Sequence, residues 1–100
     1  MTMKLANRGT EGELLLVGRL DANTCAEAED IFMELSERFE RVILNMSQLD
    51  YVSSAGLRII KRLHITMYKK GGELILKNVN KMVMEVFEMT GFAGLLTFEN

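Results

Sequence analysis

The sequence predicts an α/β fold with elements in the order ββαβαβαβ, and three observations carry that prediction. Short runs of branched apolar residues, "ELLLVGRL", "RVILNM" and "ELIL", alternate with longer segments whose apolar positions recur every three or four residues. Glycine and asparagine, never proline, punctuate the joins. A chain of 100 residues is the size of one domain that buries its core without disulfides or metals, so residues 1–100 are expected to form a single domain. Strands separated by helices pair in parallel through right-handed crossovers. The expectation is therefore one mixed β-sheet packed with helices, with Ile43, Leu44 and Leu57 buried.

The elements follow in order. A glycine-bounded turn, Gly9 to Gly12, joins Met3–Asn7 to Glu13–Leu20 as a hairpin. The period then becomes helical: Cys25, Ala28, Phe32, Leu35 and Phe39 face one way, with Glu27, Glu29, Asp30, Glu34 and Glu37 between them. Thr24 and Glu27 have the spacing of a capping box, with Asn23 and Asp21 as alternative caps. "RVILNM" reads as a strand covered on both faces and ending at Met46. Leu57, Ile60, Leu63 or His64, and Met67 mark a second helix, closed by Lys69, Lys70 and the glycines 71 and 72. "ELILKN" is the next strand. Asn80 caps a third helix with Val83, Val86 and Phe87 inward and Gly91 as its stop, and "LLTF" is a last short strand.

Composition excludes several classes of function. A formal charge of −2 with no basic cluster gives no footprint for nucleic acid. One cysteine and one histidine are too few for a zinc site, and no cofactor motif occurs. The opening "MTMKLANRG" lacks the apolar core of a signal peptide, and no apolar run approaches the roughly 20 residues that span a bilayer. A reducing, cytoplasmic setting without membrane insertion is expected.

The chemistry concentrates in "LDYVSSAGLRII", residues 49–60. Two serines follow a strand and open a helix, at the carboxyl edge where open α/β sheets place their sites. "GRLDANT" opens on the same edge, which sets Asp21, Asn23 and Thr24 beside Ser53 and Ser54. A serine hydrolase would need glycines flanking the nucleophile and a histidine in reach; Val52 occupies one such place, and His64 lies mid-helix. Neither GxGxxG nor GxxxxGK[ST] occurs, so no nucleotide loop is anchored. Taken alone, the serines read as a helix cap. Cys25 reads as a small packed residue, the methionines as core filling, and Asp21 as either a cap or a group acting on a nearby hydroxyl or phosphate.

The whole chain resembles the STAS domain, the fold shared by bacterial anti-sigma factor antagonists and the cytoplasmic tails of sulfate transporters. The resemblance rests on "GRLDANT", "VILNMSQLDYVSSAGLRII", "KKGGELIL" and "NVNKMVMEVFEMTGFAGLLTF", in the family's order. It implies a STAS-like sheet and a non-enzymatic binding role: unphosphorylated, the domain binds an anti-sigma factor serine kinase and frees a sigma factor. Phosphorylation of one serine ends that binding, and a phosphatase resets it.

By the spacing of the family motif the acceptor is Ser54, ahead of Ser53. The partner-binding edge comprises Asp21, Asn23, Thr24, Ser53, Ser54, Ala55 and Gly56, with Gly56 allowing close approach. Asn45 matches a polar residue of the family's central strand. The commonest family pattern has aspartate before the phosphoserine and serine after it; here Ser53 and Ala55 hold those places. Many members continue into another helix beyond the position of Asn100, so apolar sheet surface is expected to be shielded by a partner or a second copy, in a monomer or weak dimer. A STAS subunit bound to a transporter ATPase or permease, and a small serine-dependent enzyme, are the alternative functions.

Overall fold

The computed structural model describes residues 1–99. The elements are β1 (Thr2–Arg8), β2 (Glu11–Leu20), α1 (Cys25–Arg38), β3 (Arg41–Val52), α2 (Ser54–Lys69), β4 (Glu73–Lys77), α3 (Lys81–Met89), a 3-10 turn (Phe92–Gly94) and β5 (Thr97–Glu99). They form a five-stranded sheet in the order β1-β2-β3-β4-β5, with β1 antiparallel to β2 and the other pairs parallel. The expected mixed sheet and element order are present. Among the described residues no helix is long and apolar enough to cross a membrane.

Strands β2 to β5 follow one another across the sheet in chain order. Right-handed crossovers that always step the same way lay every helix on the same face. The core forms there, from Leu14, Leu16, Val42, Leu44, Met46, Leu74 and Leu76 of the strands against Phe32, Leu35, Ile60, Leu63, Met67 and Phe87 of the helices. Leu63, not His64, continues the buried stripe of α2.

The unbroken apolar run of β3 predicts cover on both faces, but helices supply only one. On the other face Ile43 and Ile75 are neighbours in register and only 5 % and 3 % exposed. Polar side chains of the same sheet surround them. Glu13, next to Ile43 in register, accepts hydrogen bonds from Arg8 at 2.9 Å and Asn45 at 3.0 Å, with the Lys77 ammonium 3.7 Å away. Arg41 reaches Glu11 at 3.1 Å and Glu99 at 3.2 Å. The long stems of such cations cover apolar surface while their charges stay wet, which is how a sheet face does without a helix.

Strand β3 is the largest departure from expectation: it runs on from Met46 to Val52. Between the pairs Leu15–Asn45 and Val17–Gln48, β3 uses three residues where β2 uses two. Between Gly18–Leu49 and Arg19–Tyr51 it uses two against one. These are β-bulges, and each shifts the inward side by one position. The buried residues accordingly pass from spacing two (Val42, Leu44, Met46) to spacing three (Leu49, Val52).

The ends are closed by local chemistry. The hairpin turn is tighter than expected, Gly9 and Thr10 alone, with Gly9 at φ +82°. Helix α2 stops in a Schellman motif: Gly71, at φ +79°, donates to the Tyr68 carbonyl and Gly72 to that of Met67. Asn80 caps α3 by accepting from the Val83 amide at 2.8 Å, and its own amide group donates to the Leu49 carbonyl at 2.9 Å. The cap thereby ties α3 to the bulged half of β3.

Two outcomes test this architecture. Leu44→Ala should cost about 2 to 5 kcal/mol in urea unfolding, the range for a leucine buried in a core. Burial on its own would push the Glu13 carboxyl up, but the hydrogen bonds from Asn45 and Arg8 and the charge of Lys77 outweigh it and hold the group below 4.5. The unfolded chain then takes up the proton first, so this stability is present above about pH 4.5 and is lost as pH falls through the depressed folded value. Stability measured downward from neutral pH should fall further in the wild type than in Glu13→Gln.

Candidate functional site

Strands β2 and β3 end side by side, Leu20 paired with Val52, and the Ser53 amide donates to the Leu20 carbonyl at 2.9 Å. The two loops that leave this edge therefore start from one fixed point. Each is ordered by its own side chains.

After β2, the Asp21 carboxylate accepts from the Asn23 amide at 2.9 Å, an Asx turn. The Asp21 carbonyl takes the amides of Thr24 and Cys25 at 3.1 Å and 2.9 Å. The Thr24 hydroxyl donates to the Arg19 carbonyl at 2.8 Å and accepts from the Asp21 amide at 3.0 Å. The capping box anticipated for Thr24 and Glu27 is not formed: Thr24 occupies the N-cap position, but its hydroxyl is turned back into the loop. The Asn23 amide, helped by Arg19 and against some desolvation, holds the Asp21 carboxyl below its ordinary value. Asp21 is thus a fixed negative charge at neutral pH. Arg19 lies 3.5 Å from it and stacks over the Tyr51 ring at 4.3 Å.

After β3, Ser53 is the N-cap of α2, its hydroxyl accepting from the Gly56 amide at 3.2 Å. Ser54 is the first residue of the helix and is exposed. Its hydroxyl stands where the unpaired amides of the first turn and the positive end of the helix dipole meet solvent. Ala55 is half-buried, and its carbonyl lies 3.5 Å from the Cys25 thiol, which joins the starts of α1 and α2. Burial, then the nearby Glu29, pushes that thiol up, so it is not a thiolate at neutral pH.

The close approach expected at Gly56 is internal. Gly56 is buried, and a methyl group there would sit 2.8 Å from the Leu20 carbonyl oxygen and 2.9 Å from the Leu20 side chain. The glycine lets α2 seat on the end of β2; it is not a surface for another molecule. Asn45 points to the opposite sheet face, bonded to Glu13, and takes no part in this edge. His64 is half-buried ten residues beyond Ser54. Asp21, Asn23, Thr24, Ser53, Ser54 and Ala55 share the edge, and Asp50 is exposed on the last bulge of β3.

Sequence reasoning missed Arg19 and Tyr51, whose contact forms because the second bulge makes them register partners. It also missed Arg58, which is exposed one turn beyond Ser54 and carries no ion pair among the described residues. Spacing alone marks it, since positions four apart share a helix face.

A mixed sheet with every helix on one face gathers an aspartate turn and an exposed serine at a helix start on one polar edge, the frame of a small α/β domain. The chain belongs to the STAS domain family, whose model matches residues 6–100. It is 34 % identical over 102 residues to the candidate anti-sigma factor antagonist BtrV of Bordetella bronchiseptica, covering 98 % of this chain and 87 % of that protein. It has the fold of a candidate anti-sigma factor antagonist from Thermotoga maritima, at TM-score 0.91 and 14 % identity over 98 % of this chain and 86 % of that one. It likewise matches the Bacillus cell fate determinant SpoIIAA in its phosphorylated form, at TM-score 0.77 and 17 % identity over 99 % of this chain and 92 % of that one.

Gly56→Ala should shift the unfolding midpoint downward by the equivalent of about 1 to 3 kcal/mol, because the new methyl meets backbone that cannot yield. Ser53→Ala should cost about 1 kcal/mol through the lost cap. Ser54→Ala, which removes no internal bond, should leave the midpoint within about 0.5 kcal/mol of wild type.

Proposed function

We propose that the chain is an anti-sigma factor antagonist: a binding protein without catalysis of its own that engages an anti-sigma factor serine kinase in the cytoplasm and is released by phosphorylation of Ser54. The observation that carries this reading is the division between the two serines. Ser53 spends its hydroxyl on the Gly56 amide and is half-buried, whereas Ser54 is exposed at the helix start. The similarity to BtrV across nearly the whole chain supports the general role.

In this reading the partner brings ATP, and the Ser54 oxygen attacks the γ-phosphorus, releasing ADP and the hydroxyl proton. The product carries about −1.5 to −2 charges at neutral pH. Within the domain that charge sits at the positive end of α2, worth roughly 0.3 to 1 kcal/mol, so the fold survives. A docked partner meets it differently. Asp21 already fixes one negative charge on this edge, and a second must be stripped of water inside the interface, which costs several kcal/mol. Each 1.4 kcal/mol is tenfold in affinity. A phosphatase acting on the same exposed group would restore binding.

Ser54→Asp should fold normally and bind the purified anti-sigma kinase roughly 100-fold or more weakly, while Ser54→Ala binds like wild type and takes no phosphate. Calorimetry gives the affinities, and mass spectrometry after incubation with kinase and ATP locates the phosphate. Equal affinities, or phosphate on Ser53 alone, would discard the assignment.

A further inference from the structure

Along α2, five exposed residues follow spacings of four, three, four and three: Ser54, Arg58, Lys61, Ile65 and Tyr68. At about 100° per residue they fall within a wedge of roughly 80°, and at 1.5 Å per residue they span about 21 Å. The candidate phosphoacceptor is therefore one end of a continuous outward stripe. Its far end is apolar. Ile65 (39 % exposed), Tyr68 (77 %) and Leu95 (42 %) line an open groove of about 390 Å³ with His64 and Lys69. Exposed apolar surface gathered in one concave place marks a binding site more often than scattered residues do.

The charges identify the occupant. Helix α2 carries Arg58, Lys61, Arg62 and Lys69 and no acidic residue, whereas α1 carries Glu27, Glu29, Asp30, Glu34 and Glu37 against Arg38 alone. Arg62 is taken by Glu29 of α1. That leaves Arg58 and Lys61 within the stripe and Lys69 at the groove, with the Lys61 ammonium 5.7 Å from the Phe92 ring centroid. A cationic border around an apolar floor suits an amphipathic helix with acidic flanks, which lays its apolar residues into such a groove at helical spacing.

We propose that the anti-sigma partner docks an acidic amphipathic helix along the outer face of α2, seated in the groove of Ile65, Tyr68 and Leu95, with Ser54 at the other end of the same footprint. This rests on the anti-sigma reading above and adds to it a second, apolar anchor far from the phosphoacceptor. It also gives the switch its reach. A helix lying in register with Arg58 and Lys61 presents its carboxylates toward Ser54, so a phosphate there repels the ligand that the stripe attracts.

The test uses the full chain and the purified anti-sigma kinase. Ile65→Asp and Leu95→Ser should each weaken binding about tenfold or more, by losing buried apolar area and, for the aspartate, adding a like charge. Lys61→Glu should weaken it and flatten its salt dependence. Thermal melts and circular dichroism check that each variant is folded. With the photo-cross-linker p-benzoylphenylalanine in place of Tyr68, mass spectrometry should place the adduct on a partner segment with acids beside apolar residues at helical spacing. If wild type binds the kinase while all three variants bind equally well, or the adduct forms on a second copy of this chain, the groove is not the docking site and the anti-sigma reading stands alone. If wild type does not bind the kinase at all, the anti-sigma reading fails and the proposal falls with it.

Discussion

The distance between Leu20 and Gly56 governs the loop edge. The end of β2 and the first turn of α2 approach so closely that not even a methyl group fits between them. That contact is possible because the Ser53 amide is bonded to the Leu20 carbonyl, fixing where β3 ends and at what angle α2 begins. The Ser53 cap, the seat of Cys25 against the Ala55 carbonyl, and the exposure of Ser54 all follow from it. A bulkier residue at position 56 would push the helix outward and disturb each of these contacts at once.

The hand of the crossovers sets the second constraint. With β2 to β5 in chain order, all helices lie on one face and their starts gather at one edge, so the loops that carry Asp21 and Ser54 leave the sheet side by side. The opposite face must then satisfy itself. Glu13 does this by drawing Arg8, Asn45 and Lys77 together over a strip that would otherwise expose Ile43 and Ile75. The polar residue that motif matching picked out in β3, Asn45, serves this network.

Much of the fold was legible because its signals are local. Period-two and period-3.6 patterns set the element order, Gly71 and Gly91 marked helix ends, and Asn80 marked a cap, each by chemistry confined to a few residues. What escaped was the second half of β3. "SQLDYV" has its apolar residues three apart, a spacing that fits neither a regular strand nor a full helix, and only pairing with β2 shows it to be a strand with two bulges. The Arg19–Tyr51 contact was hidden for the same reason, since register across a bulge cannot be counted from sequence. Gly56 was legible as a necessary glycine, but the molecule it admits is its own β2. The Thr24 cap failed because a hydroxyl with several acceptors in reach goes to whichever the loop brings nearer, here the Arg19 carbonyl.

The two adjacent serines stand in different surroundings. A helix start needs one side-chain oxygen to hold an orphan amide, and a second hydroxyl beside it, free of that duty, stays open to solvent. Here Ser53 holds the Gly56 amide, and Ser54, a residue later, is exposed with no side-chain hydrogen bond among the described residues. In the proposed reading, a charge added at Ser54 would act on whatever docks outside the domain, beside the cations of α2. Exposed Arg58 and Lys61 lie on the same helix face as Ser54 and would favour an acidic surface there. In that reading a phosphate on Ser54 would repel an acidic partner and compete with it for Arg58, one turn along the same face.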